Sequence, residues 1–212
     1  MNHKRLFQLL AALPLAPILA AQPLEFEQTL QGVHFSAYST NDASINNLTL
    51  TVTLTSTRDP QALSLSENDS GDIAPRGHTN TVMLRESLET DGTISAVELA
   101  DLDANGFPEI YIYTHSAGSG SYGAVLAYAS NRNLSMTPIY LPPLTDDPQL
   151  ATGYMGHDEF TVGERALLRR FPVYKRGDSN AEPTGGMRQI DYQLRPGEAG
   201  WLLTPVSHLD SP

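Results

Sequence analysis

The chain has 212 residues, with 24 Asp and Glu against 13 Lys and Arg, a formal net charge of −11 and no cysteine. The missing cysteine excludes disulfides, thiol catalysis and cysteine-ligated metals, and the acidic balance disfavours nucleic acid and anionic lipid as partners. The length suffices for one domain with a full core.

The N-terminal segment "MNHKRLFQLLAALPLAPILAA" places Lys4 and Arg5 ahead of a short apolar run that ends in small residues. This is the pattern of a secretory signal peptide, expected over residues 1–21, with Pro14 and Pro17 and the short run arguing against a membrane span. Its removal takes two basic residues and no acid, leaving 11 basic against 24 acidic residues, a net charge of −13. The product is expected in the periplasm, free of the membrane.

From residue 22 onward the hydrophobic period is two. "LEFEQTL" and "VHFSAYS" come first, then "NLTLTVTLTS", where Leu48, Leu50, Val52 and Leu54 share one face against a row of threonines. Such alternation of apolar and β-branched polar residues marks half-buried strands. Residues 57–80 are polar and rich in Gly, Pro and Asp, a long surface loop with a brief edge strand at "ALSLS". "TVMLRES" and "GTISAVELADL" follow, and the stretch around "LRESLET" is too short to carry a helical stripe. "PEIYIYTHS", "YGAVLAYASN", "MTPIYLP", "DEFTV", "ALLRRFPVYK", "RQIDYQL" and "GWLLTP" continue the series, with turn signals every ten or so residues. Residues 205–212, "PVSHLDSP", read as a flexible tail. The expected architecture is all-β, a single-domain antiparallel β-sandwich spanning residues 22–204.

Two loops carry chemistry. The first, "DLDANGFPE", sets Asp101, Asp103, Asn105 and Glu109 at positions 1, 3, 5 and 9, with Gly106 at position 6 and the Phe107 carbonyl at position 7. Calcium takes oxygen ligands at such a spacing. Position 12 is Ile112 and the flanks are strands, so this is not an EF-hand. The competing reading is a hairpin with an Asn-Gly turn whose aspartates cap backbone amides. Calcium is thus a candidate cofactor.

The second loop is "SAGSGSYG", residues 116–123. Gly118, Gly120 and Gly123 have the G-x-G-x-x-G spacing, but a strand follows them where a dinucleotide site needs a helix. Ser121 lacks the glycine two residues earlier that a nucleophile elbow requires, and His115, His157 and Asp158 could complete a triad with it only on paper. His157, Asp158 and Glu159 read rather as a satisfied turn before a strand. A plain hairpin would explain the glycines. It would not explain Tyr122, an aromatic on a narrow finger of small residues, which is how binding loops are commonly built.

The blocks "ADLDANGFPEIYIYTHSAGSGSYGAVLAYASNRN", "YLPPLTDDP", "GYMGHDEF", "RRFPVYKRGDSNAEPTGG" and "RPGEAGW" together resemble the bacterial periplasmic inhibitors of i-type (invertebrate) lysozyme. The similarity runs over roughly residues 85–203. The resemblance implies an exported β-sandwich that is not an enzyme and whose partner is a lysozyme. It implies insertion of the 116–123 loop into the lysozyme cleft, with Ser119 and Tyr122 as contacts and Gly118, Gly120 and Ser121 shaping the loop. A lysine used by other inhibitor families from a second segment has candidates here in Lys175 and Arg176, without a role assigned. A homodimer stays open.

The alternative is a calcium-dependent carbohydrate-binding or adhesive module, which Tyr111 and Tyr113 on one strand face would serve. His34, His78, His115, His157 and His208 are scattered and form no zinc-type pair. Trp201 reads as core, Asp146 and Asp147 as a solvated loop, and one of Arg169 and Arg170 as facing solvent or pairing with an acid.

Overall fold

The structure is a computed structural model that describes residues 25–41, 47–56, 80–89, 92–116 and 118–212. The expected signal peptide, the 57–79 part of the expected long loop and the brief edge strand lie outside the described residues. In chain order the strands are β1 (Glu25–Leu30), β2 (Val33–Asn41), β3 (Asn47–Ser56), β4 (Asn80–Glu89), β5 (Gly92–Ala100) and β6 (Glu109–Ser116). They continue as β7 (Gly123–Asn131), β8 (Ser135–Tyr140), β9 (Glu159–Val162), β10 (Leu167–Pro172), β11 (Met187–Pro196) and β12 (Trp201–Ser211). Among the described residues one 3₁₀ turn, Leu144–Asp146, interrupts them. No helix among the described residues is long and apolar enough to cross a membrane.

The strands form two sheets, a four-stranded one in the order β1-β2-β3-β4 and an eight-stranded one in the order β5-β6-β7-β8-β12-β11-β10-β9. The four-stranded sheet lies over the first half of the larger one, with β1 against β5 and β4 against β8. Val33, Phe35, Val52 and Leu54 meet Ile110 and Ile112 in that interface. The larger sheet then folds back on itself, because Tyr111 and Tyr113 of β6 share a second core with Phe171, Ile190, Tyr192 and Leu203 from its far half.

The result is a sandwich of three β layers with β6 in the middle one. This explains why "EIYIYT" is apolar almost throughout: residues Glu109 to Thr114 are all buried, with Ile110 and Ile112 in one core and Tyr111 and Tyr113 in the other. A strand covered on both faces has no use for alternation.

Among the described residues, the end strands of the eight-stranded sheet, β5 and β9, meet through one carboxylate. Glu98 on β5 accepts the Val162 amide of β9 at 2.8 Å and the Thr161 hydroxyl at 3.2 Å. It also takes the Tyr113 hydroxyl at 2.5 Å. Spending an acid on an edge amide blunts the edge that would otherwise template another chain.

Two expectations need correction. The sheets are antiparallel except at β8 and β12, which pair in parallel through Trp201↔Ile139 and Leu202↔Tyr140. The chain between them contains three further strands, so the long crossover a parallel pair demands is available. Residues 205–212 are no flexible tail: β12 runs through Ser211, and Met187 pairs with Ser211. A register shift between Asp191 and Tyr192 leaves Val206 as the extra residue beside Pro205, which pairs with Tyr192, and a bulge is one of the few places where a strand accepts proline. Arg188 then clamps the strand end with two 2.7 Å hydrogen bonds to Asp210.

Candidate functional site

The β6–β7 hairpin stays in register from Glu109↔Ala129 to His115↔Gly123, and the finger springs from its open end. Its neck is closed by the Ser116 amide donating to the Tyr122 carbonyl at 2.9 Å and the Tyr122 amide donating to the Ser116 hydroxyl at 3.0 Å. At the tip the Ser121 amide donates to the Gly118 carbonyl at 2.9 Å. That bond makes Ser119 and Gly120 the central residues of a β-turn. Gly118 and Ser119 are exposed, Gly120 and Ser121 partly so. Tyr122 keeps 51% of its surface in solvent although it is a large aromatic.

A second segment, residues 154–158, braces the finger from the side. The His157 amide donates to the Gly120 carbonyl at 2.7 Å. The contact is so close that a Cβ on Gly156 would lie 2.1 Å from that carbonyl oxygen, and Gly156 has φ +94° besides. A Cβ on Gly120 would meet the Tyr122 ring at 2.5 Å. Both glycines are needed because backbone runs on backbone and ring here. Tyr154 meets the Tyr122 ring edge to face, with centroids 5.6 Å apart.

Beneath the finger lies Asp158, whose side chain is fully buried. One oxygen takes the Gly123 amide at 2.8 Å and the Tyr154 hydroxyl at 2.6 Å. The other takes Arg169 Nε at 2.8 Å, and a further Arg169 nitrogen donates to the Tyr154 hydroxyl at 2.9 Å. The guanidinium lies 5.0 to 5.8 Å from the Tyr154, Phe160 and Phe171 ring centres, within cation–π reach. Burial works against the Arg169 charge, but Asp158 beside it holds its pKa above the ordinary value. Burial, and then the hydrogen bond to Asp158, raise that of Tyr154.

A third segment supports the tip. Asn180 donates its side-chain amide to the Ser119 backbone carbonyl at 2.6 Å, and Ser119 itself is exposed. The loop bearing Asn180 is organised by Asp178, which accepts the Lys175 amide at 2.7 Å and the Thr184 amide at 2.8 Å. Those backbone donors hold the Asp178 pKa below its ordinary 3.8. Lys175 and Arg176 on this loop are exposed.

The three residues of the paper triad do not assemble. His115 donates Nε2–H to the Asp158 carbonyl at 2.6 Å, and the Asp158 carboxylate is taken up by Arg169, Tyr154 and Gly123. Sequence reasoning set Asp158 aside as a satisfied turn residue and missed Tyr154 and Asn180. One signal was legible: Arg169 shares the inward face of β10 with Leu167 and Phe171, and a cation on a core face requires a buried acid.

At the other end of β6 the acidic turn is equally ordered. Asp101 accepts the Asn105 amide at 2.9 Å and the Gly106 amide at 3.0 Å, and Asn105 accepts the Phe107 amide at 2.7 Å. Gln31, in the turn between β1 and β2, donates to the second Asp101 oxygen at 2.8 Å. Glu109 is wholly buried and accepts the Leu102 amide at 2.9 Å with one oxygen. Its pKa is pushed up to about 8, by burial first and by the Asp103 and Asp101 charges after it. Burial and the adjacent Asp101 also hold Asp103 above its usual value.

Tyr111 and Tyr113 do share a strand face, but it is an inner one: they are 0% and 2% exposed, so neither offers a platform to a sugar. Trp201 is partly buried against the second core and, with the exposed Tyr140, lines a shallow groove between β8 and the 197–200 turn. No family model matches this chain, and no curated protein matches it either.

Proposed function

We propose that the protein is an exported lysozyme inhibitor, directed at i-type enzymes, that inserts the 116–123 finger into the active-site cleft and so protects the cell wall. One observation carries this reading: Ser119 at the tip and Tyr122 at the neck are both exposed on a finger whose base is hydrogen-bonded to the buried Asp158. A rigid support lowers the ordering cost of binding, which is the main way a small contact surface gains affinity.

The chemistry of the target fits such a finger. Lysozymes cleave glycosidic links with a protonated carboxylic acid and a second carboxyl group across the cleft. A serine hydroxyl can donate to or accept from such groups without bringing a charge of its own, whereas a carboxylate would add repulsion and desolvation cost. Ser119 is assigned to the catalytic acid, and Tyr122 to an aromatic anchor with a second hydrogen bond. The net charge of −13 for residues 22–212 would speed encounter with a cationic lysozyme, an effect that salt screens.

Cell-wall lysis by i-type, c-type and g-type lysozymes, each with the purified protein at micromolar concentration, tests the assignment. Strong inhibition of the i-type enzyme is expected, and unchanged lysis by it overturns the proposal. The carbohydrate-binding alternative loses Tyr111 and Tyr113 but retains the Tyr140–Trp201 groove. Retention on peptidoglycan together with no retention on immobilised lysozyme would favour it instead.

A further inference from the structure

Two polar atoms in the interior have no hydrogen-bond partner and sit on the same face of β6: Glu109 Oε1 and the Tyr111 hydroxyl. An orphaned oxygen on a wholly buried glutamate costs free energy unless something fills its lone pairs. The ligand atoms of Asp101, Asp103 and Glu109 all lie within 4.8 Å of one another, so Oε1 belongs to a carboxylate already gathered with two others. Three carboxylates this close repel in the absence of a cation.

We propose that Asp101, Asp103, Asn105 and Glu109 hold one calcium ion at the start of β6. Oxygen ligands alone, three of them carboxylates, select a hard divalent cation over zinc or copper. Four side chains, one carbonyl and solvent water reach the six to eight ligands that calcium takes, and the flexible carboxylate geometry suits it better than magnesium. The ion would also neutralise Asp101, to which the Gln31 side chain of the outer sheet is already bonded. Calcium therefore ties the outer sheet to the middle layer at this corner. This site is separate from the finger, which leaves β6 at its opposite end, and stands whether or not the protein inhibits a lysozyme.

The test uses the full-length mature protein, stripped with EDTA, then dialysed and titrated with calcium chloride by calorimetry. The expected result is one ion per chain with a Kd of roughly 10⁻³ M or tighter, the range of exported calcium modules. A Tm several degrees higher in 5 mM calcium than in EDTA is expected as well. Asp103→Asn, at a partly exposed position that bonds only within the turn, is expected to weaken binding at least ten-fold. Glu109→Gln is expected to fold in EDTA and to lose the calcium-dependent rise in Tm. If Glu109→Gln does not fold, Asp103→Asn decides by the same readout. The proposal is overturned by the absence of binding heat and Tm shift, by an equal shift with magnesium, or by an Asp103→Asn protein that binds calcium undiminished.

Discussion

Asp158 and Gly123 are 35 positions apart in the chain, yet the carboxylate of one accepts the amide of the other at 2.8 Å. Gly123 is where the finger rejoins β7, and a Cβ there would press on Asp158 at 2.7 Å. The finger is thus seated on a buried charge rather than left to its own glycines. The energetic consequence is asymmetric: the network contributes little net stability when complete and costs much when broken.

Replacing Asp158 by alanine strands the Arg169 guanidinium, which is 5% exposed, in an apolar setting of three aromatic rings. A loss of about 3–5 kcal/mol in unfolding free energy is expected, measured by urea denaturation. A loss under about 1 kcal/mol would show that Arg169 finds water or another acid. The double variant Asp158→Leu with Arg169→Met is expected to recover most of the stability, because matched apolar groups replace a buried pair at little cost.

Gly156→Ala separates the finger's placement from the fold. The new Cβ would lie 2.1 Å from the Gly120 carbonyl oxygen, so one of the two backbones must shift. The expected cost is about 1–3 kcal/mol, with the Gly120 and His157 amide resonances displaced in NMR spectra and the sheet resonances in place. Inhibition of an i-type lysozyme is expected to fall by roughly ten-fold, or ~1.4 kcal/mol. Undisplaced finger resonances would show that the close approach is not tight in solution.

Ser119→Ala and Tyr122→Ala act at exposed positions, so each is expected to leave stability within about 0.5 kcal/mol. Each is expected to weaken lysozyme binding by an estimated ~1–4 kcal/mol, read by calorimetry or inhibition. Full potency in both variants would place the contact elsewhere on the molecule.

Acid is expected to loosen the support of the tip through Asp178. Its folded-state pKa is depressed by the Lys175 and Thr184 amides, so its contribution is present above the ordinary value of 3.8 and is lost as pH falls through the depressed one. Carboxyl chemical shifts followed by NMR are expected to titrate Asp178 below that value. The Asn180 side-chain amide resonances, which report the bond to Ser119, should follow the same curve. An Asp178 that titrates at or above 3.8 removes the link.

The strands were legible in the chain because each one carries its own burial pattern. Val52 and Leu54 announce a half-buried strand without reference to any partner, and so do Ile190, Tyr192 and Leu194. The acidic turn was largely local, since the bonds that Asp101, Asp103 and Asn105 accept from Asn105, Gly106 and Phe107 amides run between residues two to five apart. The finger's composition showed that it is narrow and carries one aromatic.

Partnership across the chain was not legible, because alternation says which face of a strand is buried and nothing about what covers it. The third layer arises from β8 pairing in parallel with β12, about 60 residues later. Pro205 looked like the start of a frayed end until strand pairing placed it opposite Tyr192, beside a bulge. Asp158 looked like a turn residue until Arg169, Tyr154 and Gly123 converged on it from three segments. Glu109 read as one oxygen ligand of a calcium-type loop, and only the packing showed that it is wholly buried. Local spacing sets the chemistry that each loop can offer. Long-range packing sets which of those groups lose their water, and desolvation is what turns a common side chain into a support or a ligand.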